Sequence, residues 1–546
     1  MTLLFGLAAL SSSPALACGG LFCDSAAPVD QAGESIIFAV DAEAQQIEMH
    51  VQISYQGPAE AFSWLVPVPQ DPEVLLSTDD VFVRIGASTA PRFTLDTQIL
   101  GRCVEPPRLG VEYTIAAEAD FSDAGGVSVA AQSQVGPYEV TELVATDVGA
   151  LTTWLAENGY DLAPGAEDKL GVYVASGMYF VALKLQKDKD AGDLTPIALR
   201  YAGTEPLIPL QLTAVAAVPD MPLRPIVLGA ARAVPENFLH VTINELLLDW
   251  NQAGANYASV VSAAADEAGG QAFATDFAGE TVNLELRLWQ REQYQIDGII
   301  AATVASDLIG LVAVQRPAID DLSWQTQRVF PVGPGTLPIL RRFVDVPEGV
   351  APADFFACLE CFDAGNVRVD GPGLAEALEL EWLTPMRRMQ ELVDRLPWIT
   401  RLTSSISADE MTLDPRFVLN PAMPAVAAER TATLEVLCNG LHSFNNAPRR
   451  LVLADGHAMD MPSNNQVNNM GFDWATWTEP LAGFAAETIE QTGRSGDPVL
   501  MTDNRAAIDE ALAEMNGGCG CDGTGGAGLA GLGLLLWPCR RSRRLT

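Results

Sequence analysis

Lysine is nearly missing from this chain: Lys169, Lys184, Lys187 and Lys189 stand against twenty-eight arginines. None of the four is preceded by glycine or followed by serine or threonine, so a phosphate-cradling Gly-x-x-x-x-Gly-Lys-Ser/Thr loop is excluded. Histidine is as scarce. His50, His240, His442 and His457 include no pair four apart, which removes the commonest helical zinc motif of metallohydrolases. A nucleophile elbow is missing too, because Gly86-Ala87-Ser88 and Gly126-Val127-Ser128 each lack the second glycine, so neither Ser88 nor Ser128 is promoted. Positive charge is short overall, with 32 Lys and Arg against 70 Asp and Glu and a net charge of -38. Such a surface repels nucleic acid and anionic lipid, and a nucleic-acid partner is rejected.

The remaining polar clusters are weak. Asp455-Gly456-His457 with Asp460, and His442 upstream, could be assembled into a metal site but reads as a polar surface loop. Lys187-Asp188-Lys189-Asp190-Ala191-Gly192-Asp193 alternates aspartates as a calcium loop does, yet no bidentate Glu closes it and it reads as a charged hairpin tip. Trp64, Trp154, Trp289, Trp324, Trp382 and Trp398 fall in strand and helix patterns and read as core, not as a sugar-stacking platform. A carboxylate pair for glycoside hydrolysis cannot be picked from seventy acidic residues, since sequence does not measure their separation. No catalytic, cofactor-binding or metal-binding residue is assigned, and no cofactor is expected.

The two ends are more informative. Residues 1–17 are apolar and uncharged and finish Ala15-Leu16-Ala17, small residues at the positions that signal peptidase reads, with Cys18 next. This is an export signal, although basic residues after Met1 are lacking. Ala15 stands three before the cysteine where a lipoprotein signal has Leu, which favours ordinary cleavage over lipidation of Cys18. At the other end come Asn516-Gly517-Gly518-Cys519-Gly520-Cys521, a Gly- and Leu-rich apolar stretch over 525–537, then Arg540, Arg541, Arg543 and Arg544. Arginines there stay on the cytoplasmic side of a membrane. The stretch extends roughly 20 Å as a helix, short of the about 30 Å hydrocarbon core. These residues resemble the MYXO-CTERM sorting tail of myxobacterial surface proteins. The resemblance implies a membrane partner through the tail, processing by a sorting protease near Cys519 and Cys521, and display on the cell surface.

With both ends trimmed, six cysteines remain: Cys18, Cys23, Cys103, Cys358, Cys361 and Cys438. An even number in an exported chain reads as a disulfide framework. Proximity suggests Cys18 with Cys23 and Cys358 with Cys361, leaving Cys103 and Cys438 as a long-range staple. The competing readings are a zinc site from Cys103, Cys358, Cys361 and Cys438, and a thioredoxin-like pair at Cys358-Leu359-Glu360-Cys361. Glu360 opposes the thiolate that the second requires.

Between the ends, Ile47, Met49, Val51, Ile53 and Tyr55 alternate with Glu48, His50, Gln52 and Ser54, predicting a strand with one buried and one wet face, His50 on the wet one. Helices are expected over 78–88, 147–157 with Asp147 as cap, 255–268, 374–382, 385–396 and 503–514, and strands over most of 170–186 and 196–217. Several stretches resemble the bacterial family called domain of unknown function 2330. They are Ala17-Cys18-Gly19-Gly20, Pro28-Val29-Asp30-Gln31-Ala32-Gly33-Glu34, Phe62-Ser63-Trp64-Leu65-Val66-Pro67-Val68-Pro69, Ile208-Pro209-Leu210-Gln211-Leu212-Thr213-Ala214 and Ser407-Ala408-Asp409-Glu410-Met411-Thr412. The likeness spans most of residues 17–440; it implies export and a shared fold and brings no activity with it.

The expected organisation is therefore a signal peptide (1–17), a sheet-rich α+β body (18–330), a more helical region (331–440), a turn-rich segment with a final helix (441–517) and an anchor tail (518–546), stapled by disulfides. The expected function is that of a non-enzymatic binding or envelope-structural protein at the outer cell surface, its surface ligand unknown. A secreted metal- or carboxylate-dependent hydrolase and a calcium-dependent adhesive module are the alternatives.

Overall fold

Alternating strands of the kind seen at residues 47–55 assemble into one large mixed sheet. The computed structural model describes residues 30–56, 63–104, 132–160, 162, 165–185, 194–215, 217–284, 286, 288, 296–308, 335–357, 359–440, 442–469 and 472–517. The export signal, the tail with Cys519 and Cys521, and Cys18, Cys23, Cys358, Ser128, Trp289, Trp324 and the 187–193 loop lie outside them. The ten strands run, edge to edge, Val499–Asp503, Ala486–Gln491, Leu239–Ile243, Ala272–Glu280, Trp398–Ile406, Met221–Gly229, Asp30–Asp41, Gln46–Gln56, Ile197–Ala202 and Glu73–Leu76. Asp30–Asp41 pairs parallel with Met221–Gly229, and Leu239–Ile243 parallel with Ala272–Glu280; the other pairings are antiparallel.

The period-two alternation of side chains sends successive residues of each strand into different cores. Ile36, Phe38 and Val40, with Ile47, Met49 and Val51, pack against a four-stranded sheet through Val66, Val68, Val140 and Val181. That second sheet is covered in turn by the helices Val148–Glu157 and Ala166–Ala175 through Leu151, Leu155, Leu170 and Tyr173. On the other face Ile37, Ala39, Ile226, Leu228 and Ile399 meet a layer of helices, including Asp79–Thr89, Gly371–Leu378 and Thr384–Arg395. A third core, around Trp250, Phe93 and the helix Tyr257–Glu267, receives Ile508 and Leu512 of the last helix, Arg505–Gly517. Burying each of these large side chains contributes about 1.5–3 kcal/mol. Among the described residues no helix is long and apolar enough to cross a membrane.

The α+β class stands, but a more helical C-terminal region is not evident. The helices between 296 and 395 are a covering layer inserted between the strands Ala272–Glu280 and Trp398–Ile406, which pair with each other in the middle of the sheet. Past Asn439 the chain still supplies the strands Arg449–Leu453, Ala458–Met461, Ala486–Gln491 and Val499–Asp503, so it is not merely turn-rich. The run expected as strand over 170–186 is the helix Ala166–Ala175 followed by the strand Tyr179–Leu185, and Leu210–Thr213 is a helical turn inside 196–217. In both places an apolar run too short to declare a period was decided by what it packs on. Asp147 does cap its helix, its Oδ1 accepting from Ala150 N at 2.8 Å.

Cys103 and Cys438 are joined across 335 residues with Cα atoms 4.8 Å apart. The bond closes the end of a parallel pair in which Arg92–Arg102 lies along Glu429–Asn439. Gly101 sits in that pair at φ +89°, and a Cβ there would lie 1.9 Å from the Cys438 carbonyl oxygen, so only glycine fits. Cys361 is disulfide-bonded as well. Replacing Cys438 by alanine is expected to lower stability by about 2–4 kcal/mol, seen as a fall in thermal midpoint that reductant reproduces in the parent protein. An unchanged midpoint in both would show that the strand ladder holds without the bond.

Candidate functional site

A connected set of buried polar side chains lies between the large sheet and its helical layer. Glu48, His50 and Gln52 project on that side from the strand Gln46–Gln56, because Ile47, Met49 and Val51 take the other. His50 is fully buried and Glu48 is 4 % exposed, so the expectation of a wet His50 is overturned. The covering groups come from far along the chain: Ser77, just before the helix Asp79–Thr89, and Arg388, on the helix Thr384–Arg395.

The geometry is tight. His50 Nδ1 lies 2.7 Å from Ser77 Oγ, and His50 Nε2 lies 3.0 Å from Glu48 Oε1. The same Oε1 accepts from Arg388 Nε at 2.6 Å, and Glu48 Oε2 accepts from Arg200 Nε at 3.0 Å. Arg200 continues to Glu73 at 2.7 Å, and Arg388 Nη2 donates to the Leu76 carbonyl at 2.5 Å. Burial raises the Glu48 carboxyl, but the hydrogen bond from His50 and the charges of Arg388 and Arg200 overcome it and leave the group well below the usual carboxylate range. Burial pushes the His50 imidazole below its ordinary range, against the pull of Glu48. A neutral ring facing a carboxylate carries its proton on Nε2, so Nδ1 accepts from the Ser77 hydroxyl.

Serine, histidine and glutamate thus form a hydrogen-bonded chain of the kind that activates nucleophiles. It is closed. Ser77 and His50 have no exposed surface, Glu48 is held by two arginines, and the Ser77 N–H donates to the Pro196 carbonyl at 2.8 Å instead of facing an oxyanion. As built, the chain braces three strands to a helix.

Beside it, Gln52 Nε2 donates to Asp79 Oδ1 at 2.6 Å, and the Trp382 indole donates to Asp80 Oδ2 at 2.5 Å. Trp382 belongs to a single π turn, Glu379–Leu383, whose extra residue directs the indole inward. Burial pushes Asp79 up to about 6, with the Asp80 charge adding to it, and burial raises Asp80. A second buried cluster centres on Asp276, the extra residue at a bulge of the strand Ala272–Glu280. Its carboxylate accepts from the Tyr257 hydroxyl, from Arg401 Nε at 2.9 Å and from Thr403 Oγ1 at 2.5 Å.

The residues singled out from sequence are placed elsewhere. His457 caps a hairpin turn, with Nδ1 2.8 Å from Asp455 Oδ2 and Nε2 3.4 Å from Asp509, while Asp460 is bound by Arg450. Among the described residues no three His, Cys, Asp or Glu side chains converge as a metal site. Ser88 donates to the Arg84 carbonyl within its helix at 3.0 Å. Trp382 is core; Trp154 stacks on Tyr160 with centroids 5.9 Å apart, and Trp64 belongs to the inter-sheet side, so these three described tryptophans form no common platform. Glu48, Ser77, Arg388, Asp276 and Arg401 carry no spacing signal, since their partners lie up to 340 residues away.

Two outcomes follow. Asp79 binds its proton more tightly in the folded than in the unfolded protein, so its contribution is favourable below its ordinary range and is lost as pH rises through about 6. Asp79→Asn should therefore raise stability by about 2 kcal/mol near pH 8 and leave it unchanged near pH 4, read from chemical denaturation at the two pH values. Arg388→Met strips Glu48 of one of its buried cations and should cost about 3 kcal/mol; a loss below about 0.5 kcal/mol, the size of an exposed pair, would contradict the brace.

Residues 12–285 match the model of a family described as an uncharacterized protein conserved in bacteria, DUF2330. No curated protein matches the chain. No solved structure matches it either.

Proposed function

The chain belongs to the DUF2330 family of bacterial proteins, and from that premise we propose that it is exported and held at the outer cell surface, serving binding or envelope structure instead of catalysis. The observation that carries this reading is the Cys103–Cys438 bond, which ties the end of one strand to a strand 335 residues away. Such bonds persist in oxidising compartments and are rare in the cytosol. The Ala15-Leu16-Ala17 ending ahead of Cys18, and the Cys519, Cys521 and arginine pattern of the tail, support the same compartment from the two ends of the chain. The net charge of -38 suits a protein that stays dispersed and takes no nucleic-acid partner.

A secreted hydrolase is the second reading, and its one structural support is the hydrogen-bonded series Ser77, His50 and Glu48. The burial of all three weighs against it, because a substrate carbonyl must approach the hydroxyl to within about 3 Å.

Surface labelling of intact cells with a membrane-impermeant amine reagent, combined with thiol alkylation without reductant, tests the main reading. The expected result is a labelled protein that has lost its terminal arginines and in which Cys103 and Cys438 resist alkylation. Recovery of a full-length, thiol-reduced product from the cytosol would overturn it. A fluorophosphonate probe separates the hydrolase: labelling of the native protein that disappears in Ser77→Ala would establish a nucleophile, and absence of labelling is expected.

A further inference from the structure

With 70 acidic residues for 32 basic ones, every guanidinium in this protein has carboxylates to choose from. Buried arginines use them: Arg388 and Arg200 hold Glu48, Arg401 holds Asp276, Arg430 holds Glu245 and Arg342 holds Glu381. Arg224 does not. It is half-buried on the strand Met221–Gly229, and its guanidinium makes no hydrogen bond or ion pair with any described residue. It lies two residues from Ile226, whose register partner is Arg401, so the two guanidiniums share one face of the sheet. The carboxylate whose charge reaches Arg224, Asp276, is already filled by Tyr257, Arg401 and Thr403. Across the strand pair the partner of Arg224 is Ser35, a half-buried serine whose hydroxyl likewise bonds no described residue.

We infer that Arg224, with Ser35 beside it and Arg401 behind it, is a subsite for the oxyanion group of a ligand: a phosphate, sulfate or carboxylate. A desolvated cation next to another cation is unfavourable until an anion joins them, and the planar guanidinium fork matches a two-oxygen acceptor. Arg401 fixes the polarity of the floor, being itself anchored by Asp276 and by its Nη1 donating to the Gly86 carbonyl at 2.8 Å. Burial and the charge of Arg401 both hold the Arg224 guanidinium below its usual range, with Asp276 pulling the other way, as expected for a cation lacking its own counter-charge. Two buried arginines without a carboxylate hydrogen bond, Arg449 and Arg232, are different cases: Arg449 is 7 % exposed and donates to the Pro462 carbonyl, and Arg232 is more enclosed still. It is 3 % exposed and bound to the Pro424 carbonyl and Thr275 hydroxyl, which leaves a ligand no way in. The inference concerns a ligand class and does not depend on where the protein is displayed, so its failure would leave the export reading untouched.

The test is thermal unfolding of the purified protein with sodium phosphate, sodium sulfate or sodium acetate, each against sodium chloride at equal ionic strength. At least one oxyanion should raise Tm by about 2 °C or more at saturation, and which one does so reports tetrahedral or planar preference. Arg224→Gln should be more stable than the parent in chloride, because an unpaired desolvated charge is gone, and should lose the oxyanion response. Arg224→Lys should keep part of it. Arg494→Gln, which removes an exposed arginine paired with Glu205 and Glu236, should respond as the parent does. Equal Tm in all four salts, an oxyanion response that survives Arg224→Gln, or an Arg224→Gln protein less stable than the parent in chloride would each overturn the inference.

Discussion

The architecture turns on one ionised carboxylate taken out of water. Glu48 lies inside the protein, and the two arginines that neutralise it come from a neighbouring strand and from the helical layer. A buried charge of this kind is costly unless every oxygen is satisfied, and here both are. The consequence is geometric: the helix Thr384–Arg395 must sit where Arg388 reaches both Glu48 and the Leu76 carbonyl, and Ser77 must sit where His50 can use its hydroxyl. The register between the sheet and its covering layer is thus set by charge as well as by the apolar contacts around Ile37, Ile226 and Ile399.

The same logic explains why a serine, a histidine and a glutamate in line make a strut. The elements of proton transfer are present, but catalysis requires differential stabilisation of a transition state, and a hydroxyl sealed under a helix has nothing to stabilise. Two further groups, Asp79 and Asp80, occupy the same layer with raised affinities for protons, Asp79 accepting from Gln52 and Asp80 from the Trp382 indole. Polar groups concentrate in this layer because the strand Gln46–Gln56 gives its apolar side to the second sheet and leaves its charged side to be roofed. On the same sheet, the side chains of Ser35 and Arg224 have no hydrogen-bond partner among the described residues.

Much of the local structure was legible in advance, and particular residues show why. Asp147 followed by Leu151 and Leu155 states a cap and a helical face, and the helix is there. Ile47, Met49 and Val51 state a strand face correctly. His50 is buried where a wet face is expected, because alternation tells which residues share a side and not what that side meets. Residues 170–175, inside the stretch expected as strand, carry the β-branched and aromatic Val172, Tyr173 and Val174, yet they end the helix Ala166–Ala175, which is held by Leu170 and Tyr173 packing beneath the second sheet. Of the candidate site, Cys103 and Cys438 were paired by elimination and are bonded, while nothing in the chain announced Arg388 or Arg401 as partners.

Sequence by itself determined the α+β character, the scarcity of basic charge and the membership of a bacterial family, because these depend on composition, local period and motif. Tertiary structure alone decided the order of the ten strands, the insertion of the helices into the middle of the sheet, and which polar side chains are sealed or left facing solvent. The reason is that a strand carries two faces of equal status until something covers one of them, and here the cover for residue 48 comes from residue 388. No local rule reaches across that distance.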